Sequence, residues 1–259
     1  MTPARLDRLS ALLEGIRPRV SLAEHDSLDT FCLHLVQGPT PPKAKLCMQS
    51  APMDAMRLLV CPPGHGLQEY LLPGERGWMA FEVGFDGPVG PVFMAEFGGV
   101  ISIPMQFADP SLAQIVQLIA SEMQTDRCGQ PLLMDRAGDI LLIGLMRHLI
   151  ARPQKTTGLF TALSDPRIAK SLVALHTHCA NDWTLESLAQ VAGMSRTAFA
   201  SQFTKIMHIA PGKYLGNLRL AIARQMAASG LGLKQIAQKT GYASASTLSR
   251  AMGRTGAGC

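Results

Sequence analysis

The sequence predicts an α+β chain: an N-terminal half of short strands closed by two helices, and an all-α C-terminal domain with two helix-turn-helix units. Three observations carry this. A pattern of about twenty residues occurs twice near the C-terminus, brief apolar runs alternate with Pro and Gly between Thr30 and Pro104, and positive charge gathers in the last third. A length of 259 residues suits two domains, and 47% hydrophobic residues against 17% charged ones allow ample cores. The expected boundaries are 1–152 for the first domain, 153–164 for a linker and 165–259 for the second.

The helical units are justified by their apolar spacing. In "LESLAQVAGMSRTAFASQF" (185–203), Leu185, Leu188, Ala189 and Ala192 mark one amphipathic helix. Gly193 suits a tight turn, Ser195 a helix N-cap, and Phe199 and Phe203 the buried face of a second helix. The stretch "LKQIAQKTGYASASTLSRAM" (233–252) repeats this at an offset of 48, with Ile236 on Leu188, Ala237 on Ala189 and Gly241 on Gly193. One inserted residue later, Leu248 falls on Phe199 and Met252 on Phe203. Between them, Leu215, Leu218, Ile222 and Met226 form the stripe of one bridging helix. Upstream, Asp165-Pro166 is a cap and first-turn signal, and Ile168, Leu172 and Leu175 are the buried face of a supporting helix.

Charge separates along the same lines. From Pro166 onward eleven Lys/Arg face two acids, Asp182 and Glu186, a balance of +9, while the preceding residues carry −4. A basic module joined to an acidic one fits a DNA-binding domain with a regulatory partner better than a surface charged for solubility.

These residues resemble the DNA-binding domain of AraC/XylS-type bacterial transcription regulators, over Pro166 to Met252. The ordered set "LAQVAGMSRTAFASQF", "PGKYLGNLR" and "IAQKTGYASASTLSRAM" carries the resemblance and is far more specific than one helix-turn-helix alone. It implies that Thr197, Ala200 and Ser201 face bases while Arg196 and Lys205 meet phosphates. In the second unit the outward positions are Ser244, Ala245, Ser246, Thr247, Ser249 and Arg250; Ser246, Thr247, Ser249 and Arg250 are the candidate DNA contacts, with Arg250 the one long donor. A bidentate arginine–guanine pair supplies ~1–3 kcal/mol of discrimination; a phosphate contact supplies affinity alone. For each residue singly the competing reading is a solvated helix face. The end departs from the family: "GRTGAGC" follows Met252, and three glycines predict fraying after about Ala251, leaving the first unit to dominate affinity.

In the N-terminal half, "LDRLSALLEG" reads as a short helix. The runs "FCLHLVQG", "AKLCMQS", "MRLLVCPPGHG", "GWMAFEVG", "GPVFMAEFGG" and "VISIP" read as strands of a small β-sandwich or barrel. "SLAQIVQLIASEMQ" (111–124) and 134–152 read as two amphipathic helices. This layout resembles the family's cupin-like barrel followed by a helical dimerisation pair. Apolar residues lie on more than one side of the second helix, so Ile140, Leu145 and Leu149 are candidate dimer contacts, against burial within one domain.

Other chemistry is poorly supported. His25, His34, His65 and His148 contain no HxH pair of the kind metal cupins use, and no nucleophile triad or phosphate-cradling loop stands out, so neither catalysis nor a cofactor is expected. In "HTHC", His176, His178 and Cys179 read as a helix end ahead of a zinc site, and Trp183 as a core anchor. The six cysteines form no CxxC motif. Cys32, Cys47 and Cys61 lie in apolar runs; a structural role comes first and a redox sensor second, with Lys43 and Lys45 the only cations near Cys47.

The reading is a cytoplasmic transcription regulator, an activator by the family's usual output. Its implied partners are promoter DNA, RNA polymerase, a second copy of the chain and an unidentified small-molecule or redox signal; no membrane association is expected. The rival is a ligand-binding or thiol-redox regulatory protein with degenerate DNA binding that acts through protein partners.

Overall fold

The computed structural model describes residues 7–23, 28–39, 53–94, 96–124 and 126–254. In chain order the elements begin with α1 (Ser10–Ile16), β1 (Pro18–Leu22), β2 (Phe31–Gln37), β3 (Met56–Cys61), β4 (Arg76–Phe85), α2 (Gly90–Met94) and β5 (Ile101–Pro104). Helices follow: α3 (Pro110–Glu122), α4 (Gln130–Ala151), α5 (Leu159–Ser164), α6 (Pro166–Thr177), α7 (Leu185–Ala192), α8 (Arg196–Met207), α9 (Pro211–Ala228), α10 (Leu233–Thr240) and α11 (Ala245–Arg254). The chain forms two compact units that interleave in sequence. α1, Asp86–Phe93 and the described residues from Ile150 onward make one; Pro18–Phe85 and Met94–Leu149 make the other. The two short excursions, α1 and Asp86–Phe93, carry no compositional mark in the sequence.

The sheet unit holds five antiparallel strands in the order β1-β4-β2-β3-β5. β2 and β3 are buried on nearly every residue, which explains their continuous apolar runs. β4 alternates instead, burying Met79, Phe81 and Val83. α4 lies close to this sheet at Gly138, where a Cβ would stand 2.7 Å from Val20 and 2.8 Å from Phe81. Arg57 on β3 holds the segment before β4: its Nε donates to Glu75 Oε1 at 2.8 Å and its Nη2 donates to the Tyr70 carbonyl at 3.0 Å. Burial pushes the Glu75 carboxyl up, but the hydrogen bonds from Arg57 and the Leu72 amide outweigh that and leave it below its usual value.

The structure differs from the sequence expectations at several points. "GPVFM" is the helix α2, not a strand, since a short apolar run starting on Gly-Pro fits either class. β1 was not foreseen, because only Val20 of its five residues is buried. Leu145 and Leu149, expected at a dimer contact, are 0% and 1% exposed and fill the interior, whereas Ile140 keeps 47% exposure. The run "AKLCMQS", with Cys47, and His25 lie outside the described residues.

In the helical unit α1 packs on α6, and the segment after β4 docks beside it. Phe93 meets Phe160 edge-on with centroids 5.8 Å apart, and the Gln225 side chain donates to the Asp86 carbonyl. α6 starts where Asp165-Pro166 predicts: the Asp165 carboxylate accepts from the amides of Arg167 at 2.9 Å and Ile168 at 3.5 Å. Burial pushes that carboxyl up, but these amides and the Arg167 guanidinium hold it below its ordinary value. Among the described residues, no helix is long and apolar enough to cross a membrane.

Candidate nucleic-acid interface

Each recognition helix is positioned by its turn, its cap and its core. In the first unit Thr184 and Ser187 form a reciprocal capping box that starts α7, and Gly193 ends it at φ 65°. The Ser195 hydroxyl then accepts from the Ala198 amide at 3.3 Å and starts α8. Phe199 and Phe203 are fully buried, and Phe203 meets Tyr214 of α9 edge-on at 5.7 Å. Anchoring that face turns the opposite one outward. There Arg196, Thr197, Ala200, Ser201, Thr204 and Lys205, with Leu185 of α7, line one open groove of ≈ 800 Å³. All five residues expected at the first unit's DNA face therefore share a single surface. Its middle holds small hydroxyl and methyl groups, suited to short contacts with base edges, and a cation stands towards each end of α8.

The second unit follows the same plan with different materials. Gly241 ends α10 at φ 74°, and the Ser244 hydroxyl accepts from the Thr247 amide at 3.1 Å at the start of α11. Ala223, Ile236, Ala237 and Leu248 form its small core, with Met252 packed against it. That packing carries α11 to Arg254, three residues past the point where the terminal glycines predict fraying. Ser246, Ser249 and Arg250 are exposed, while Thr247 is half-buried and its hydroxyl lies 2.9 Å from Ser244 Oγ. Arg250 Nε donates to the Ser246 carbonyl at 3.4 Å, which holds the guanidinium along its own helix.

Two further residues organise this surface, in a role that sequence spacing did not give them. Arg219 of α9 donates from Nε to the Cys179 carbonyl and from Nη2 to the Asn181 carbonyl, both at 2.8 Å. The same guanidinium packs on Gly241, so one side chain ties the turn before α7 to the turn after α10. The only signal for it was its place in "PGKYLGNLR". His176 of α6 is the second: its Nε2 lies 2.7 Å from the Tyr214 hydroxyl, linking the supporting helix to α9. Burial pushes its imidazole down to about 4, so it is neutral near pH 7. His178 caps the end of α6, as the helix-end reading of "HTHC" expects. Trp183 is half-buried rather than a core anchor; its Nε1 donates to the His178 carbonyl at 2.8 Å and closes the turn. Burial pushes the Cys179 thiol up, against the opposing pull of Arg219.

Comparison with known families agrees with this geometry. Residues 188–256 match the family described as "Helix-turn-helix domain", and residues 53–151 match the family described as "Cupin". The HTH-type transcriptional regulator AlkR of Acinetobacter baylyi is 37% identical over 137 residues, covering 52% of this chain and 45% of that protein. A putative AraC-like transcription regulator of Streptomyces lividans is 31% identical over 161 residues, covering 60% of this chain and 52% of that protein. The chain thus spans about half the length of the curated relatives it matches. A crystal structure of ToxT from Vibrio cholerae with unsaturated fatty acid bound covers 92% of this chain and 90% of its own, with a TM-score of 0.39 and 12% identity. The chain carries an AraC-type helix-turn-helix domain behind a cupin domain, as the sequence motifs imply.

Proposed function

We propose that this chain is a sequence-specific DNA-binding transcription regulator of the AraC type that works in the cytoplasm. The observation that carries the reading is the groove on α8, where Arg196, Thr197, Ala200, Ser201 and Lys205 converge. Residues 165–259 act as the DNA module, 1–152 as the sensory module and 153–164 as the connection between them. The cupin-containing module receives the signal, and the regulator activates through RNA polymerase. Arg196 and Lys205 neutralise phosphates, Thr197, Ala200 and Ser201 read base edges, and Arg250 of α11 reads a guanine in the next stretch of major groove. A mobility-shift assay of the full chain on genomic fragments tests this: retarded fragments that survive competition by random DNA support it, and their absence removes it.

A homodimer completes the proposal. Leu145 and Leu149 are buried, so the contact involves the side of α4 that carries the exposed Ile140. Ile140→Asp then gives a folded monomer in sedimentation, while a folded dimer takes Ile140 out of the interface.

A further inference from the structure

The β2–β3 ladder brings together two cysteines that the sequence separates by nearly thirty residues. Cys32 and Cys61 are direct cross-strand partners. Directly opposed residues of an antiparallel pair point to the same face with Cα atoms about 4.5–5.5 Å apart. A disulfide accepts Cα separations of about 4.4–6.8 Å. The ladder therefore sets the two Cα atoms at a separation that a disulfide accepts. Both are 1% exposed and share one apolar cluster with Val36, Leu59 and Leu67. They also sit at strand ends, Cys32 second in β2 and Cys61 last in β3, where local opening needs no global unfolding.

A second observation distinguishes the two sulfurs. On its other side Cys32 is paired with Glu82 of β4. The Thr30 hydroxyl lies 3.3 Å from Cys32 Sγ and donates to Glu82 Oε1 at 3.5 Å. With the thiol donating to Thr30, one hydroxyl relays its proton to a carboxylate, the arrangement general-base activation of a nucleophile requires.

We propose that Cys32 and Cys61 form a two-thiol oxidation site that reacts with a small peroxide and closes a disulfide between β2 and β3. The Cys32 proton passes through Thr30 to Glu82, and the thiolate sulfur attacks one peroxide oxygen. The O–O bond breaks, a sulfenic acid forms on Cys32, and the departing oxygen takes the proton back from Glu82 as an alcohol, or as water from hydrogen peroxide. Cys61 then attacks the Cys32 sulfur; its own proton leaves with the displaced hydroxide as water. Two thiols lose two electrons and the peroxide gains them. The site requires no DNA, so it stands or falls apart from the proposed function.

The test is a thiol map of the full chain, reduced and then treated with hydrogen peroxide at neutral pH. Alkylation and peptide mass spectrometry should show two of the six thiols lost and the Cys32 and Cys61 peptides linked. In Cys61→Ser, a sulfenic acid should be trapped on Cys32 by dimedone, whereas Cys32→Ser should leave Cys61 fully alkylatable. Glu82→Gln should slow disulfide formation about a hundredfold, the low end of general-base contributions, with the final extent unchanged. Complete alkylation of both cysteines after peroxide overturns the proposal, as does a linkage that uses Cys47, Cys128, Cys179 or Cys259 instead. An unchanged rate in Glu82→Gln removes the relay.

Discussion

The two helix-turn-helix units share a plan but hold their recognition helices by different means. α8 is pinned by two buried phenylalanines and a tyrosine from α9, and it exposes a groove of small side chains with a cation towards either end. α11 rests on a smaller aliphatic core and exposes hydroxyls and one arginine whose Nε is bonded to its own helix. The difference separates two tasks. On the proposed function, the first face offers charge on both sides of a shape, which favours positioning, and the second offers one arginine, which favours discrimination of a guanine.

The turns differ more sharply than the helices, and the largest expected effect follows from that. Gly193 and Gly241 occupy equivalent C-caps with φ 65° and 74°. A Cβ on Gly193 would have nothing within 4 Å; one on Gly241 would lie 2.6 Å from the Ala180 carbonyl oxygen and 2.7 Å from Arg219 Nη2. Gly193→Ala should therefore cost about 1 kcal/mol, the left-handed backbone penalty alone. Gly241→Ala carries that penalty plus a backbone clash, and should cost about 3 kcal/mol or more. Denaturant unfolding of both variants checks this, and equal losses would mean that Arg219 and the 179–181 turn give way freely.

Next in size is a pH effect under the first unit. The His176 imidazole is held down to about 4 in the folded chain against 6.5 when solvated, because burial disfavours its charge. Unfolding between those values takes up a proton, so the stability tied to neutral His176 is complete above about pH 6.5 and is lost as pH falls towards 4. The loss approaches about 3 kcal/mol. Denaturant midpoints across that range should fall in the wild type and flatten in His176→Phe; parallel curves would show that His176 protonates in the folded protein.

The smallest effects concern DNA itself. Arg250→Ala should lose about tenfold on a selected site and little on random DNA, within the range of one base contact. Arg196→Ala should lose about threefold on both, as a phosphate contact does. Fluorescence anisotropy with the two DNAs checks both variants, and equal losses for Arg250→Ala would reassign it to the backbone.

Both helical units were legible in the sequence because the information is local and doubled. Leu188, Phe199 and Phe203 find their counterparts in Ile236, Leu248 and Met252, and the caps Asp165 and Ser195 act within three residues of themselves. What was not legible depends on distant partners. Arg219 reaches carbonyls some forty residues back, and only packing shows that it joins the two units. The Cys32–Cys61 pair is set by strand register, which no spacing encodes. α4 misled because it is apolar on several sides: the positions expected to face a second subunit, Leu145 and Leu149, are covered within the chain, and only Ile140 stands clear. Met252 shows the opposite case: it packs against the second unit's core, and its helix runs on through Gly253 to Arg254.

The central claim is that the α8 groove meets DNA phosphates, and the salt dependence of binding tests it most directly. With the full chain on a selected fragment, affinity should fall steeply and linearly on logarithmic axes as salt rises, and Lys205→Ala should make that slope shallower by about 0.9, one phosphate contact. An affinity that holds steady from low to moderate salt, or a slope that Lys205→Ala leaves unchanged, would contradict the account.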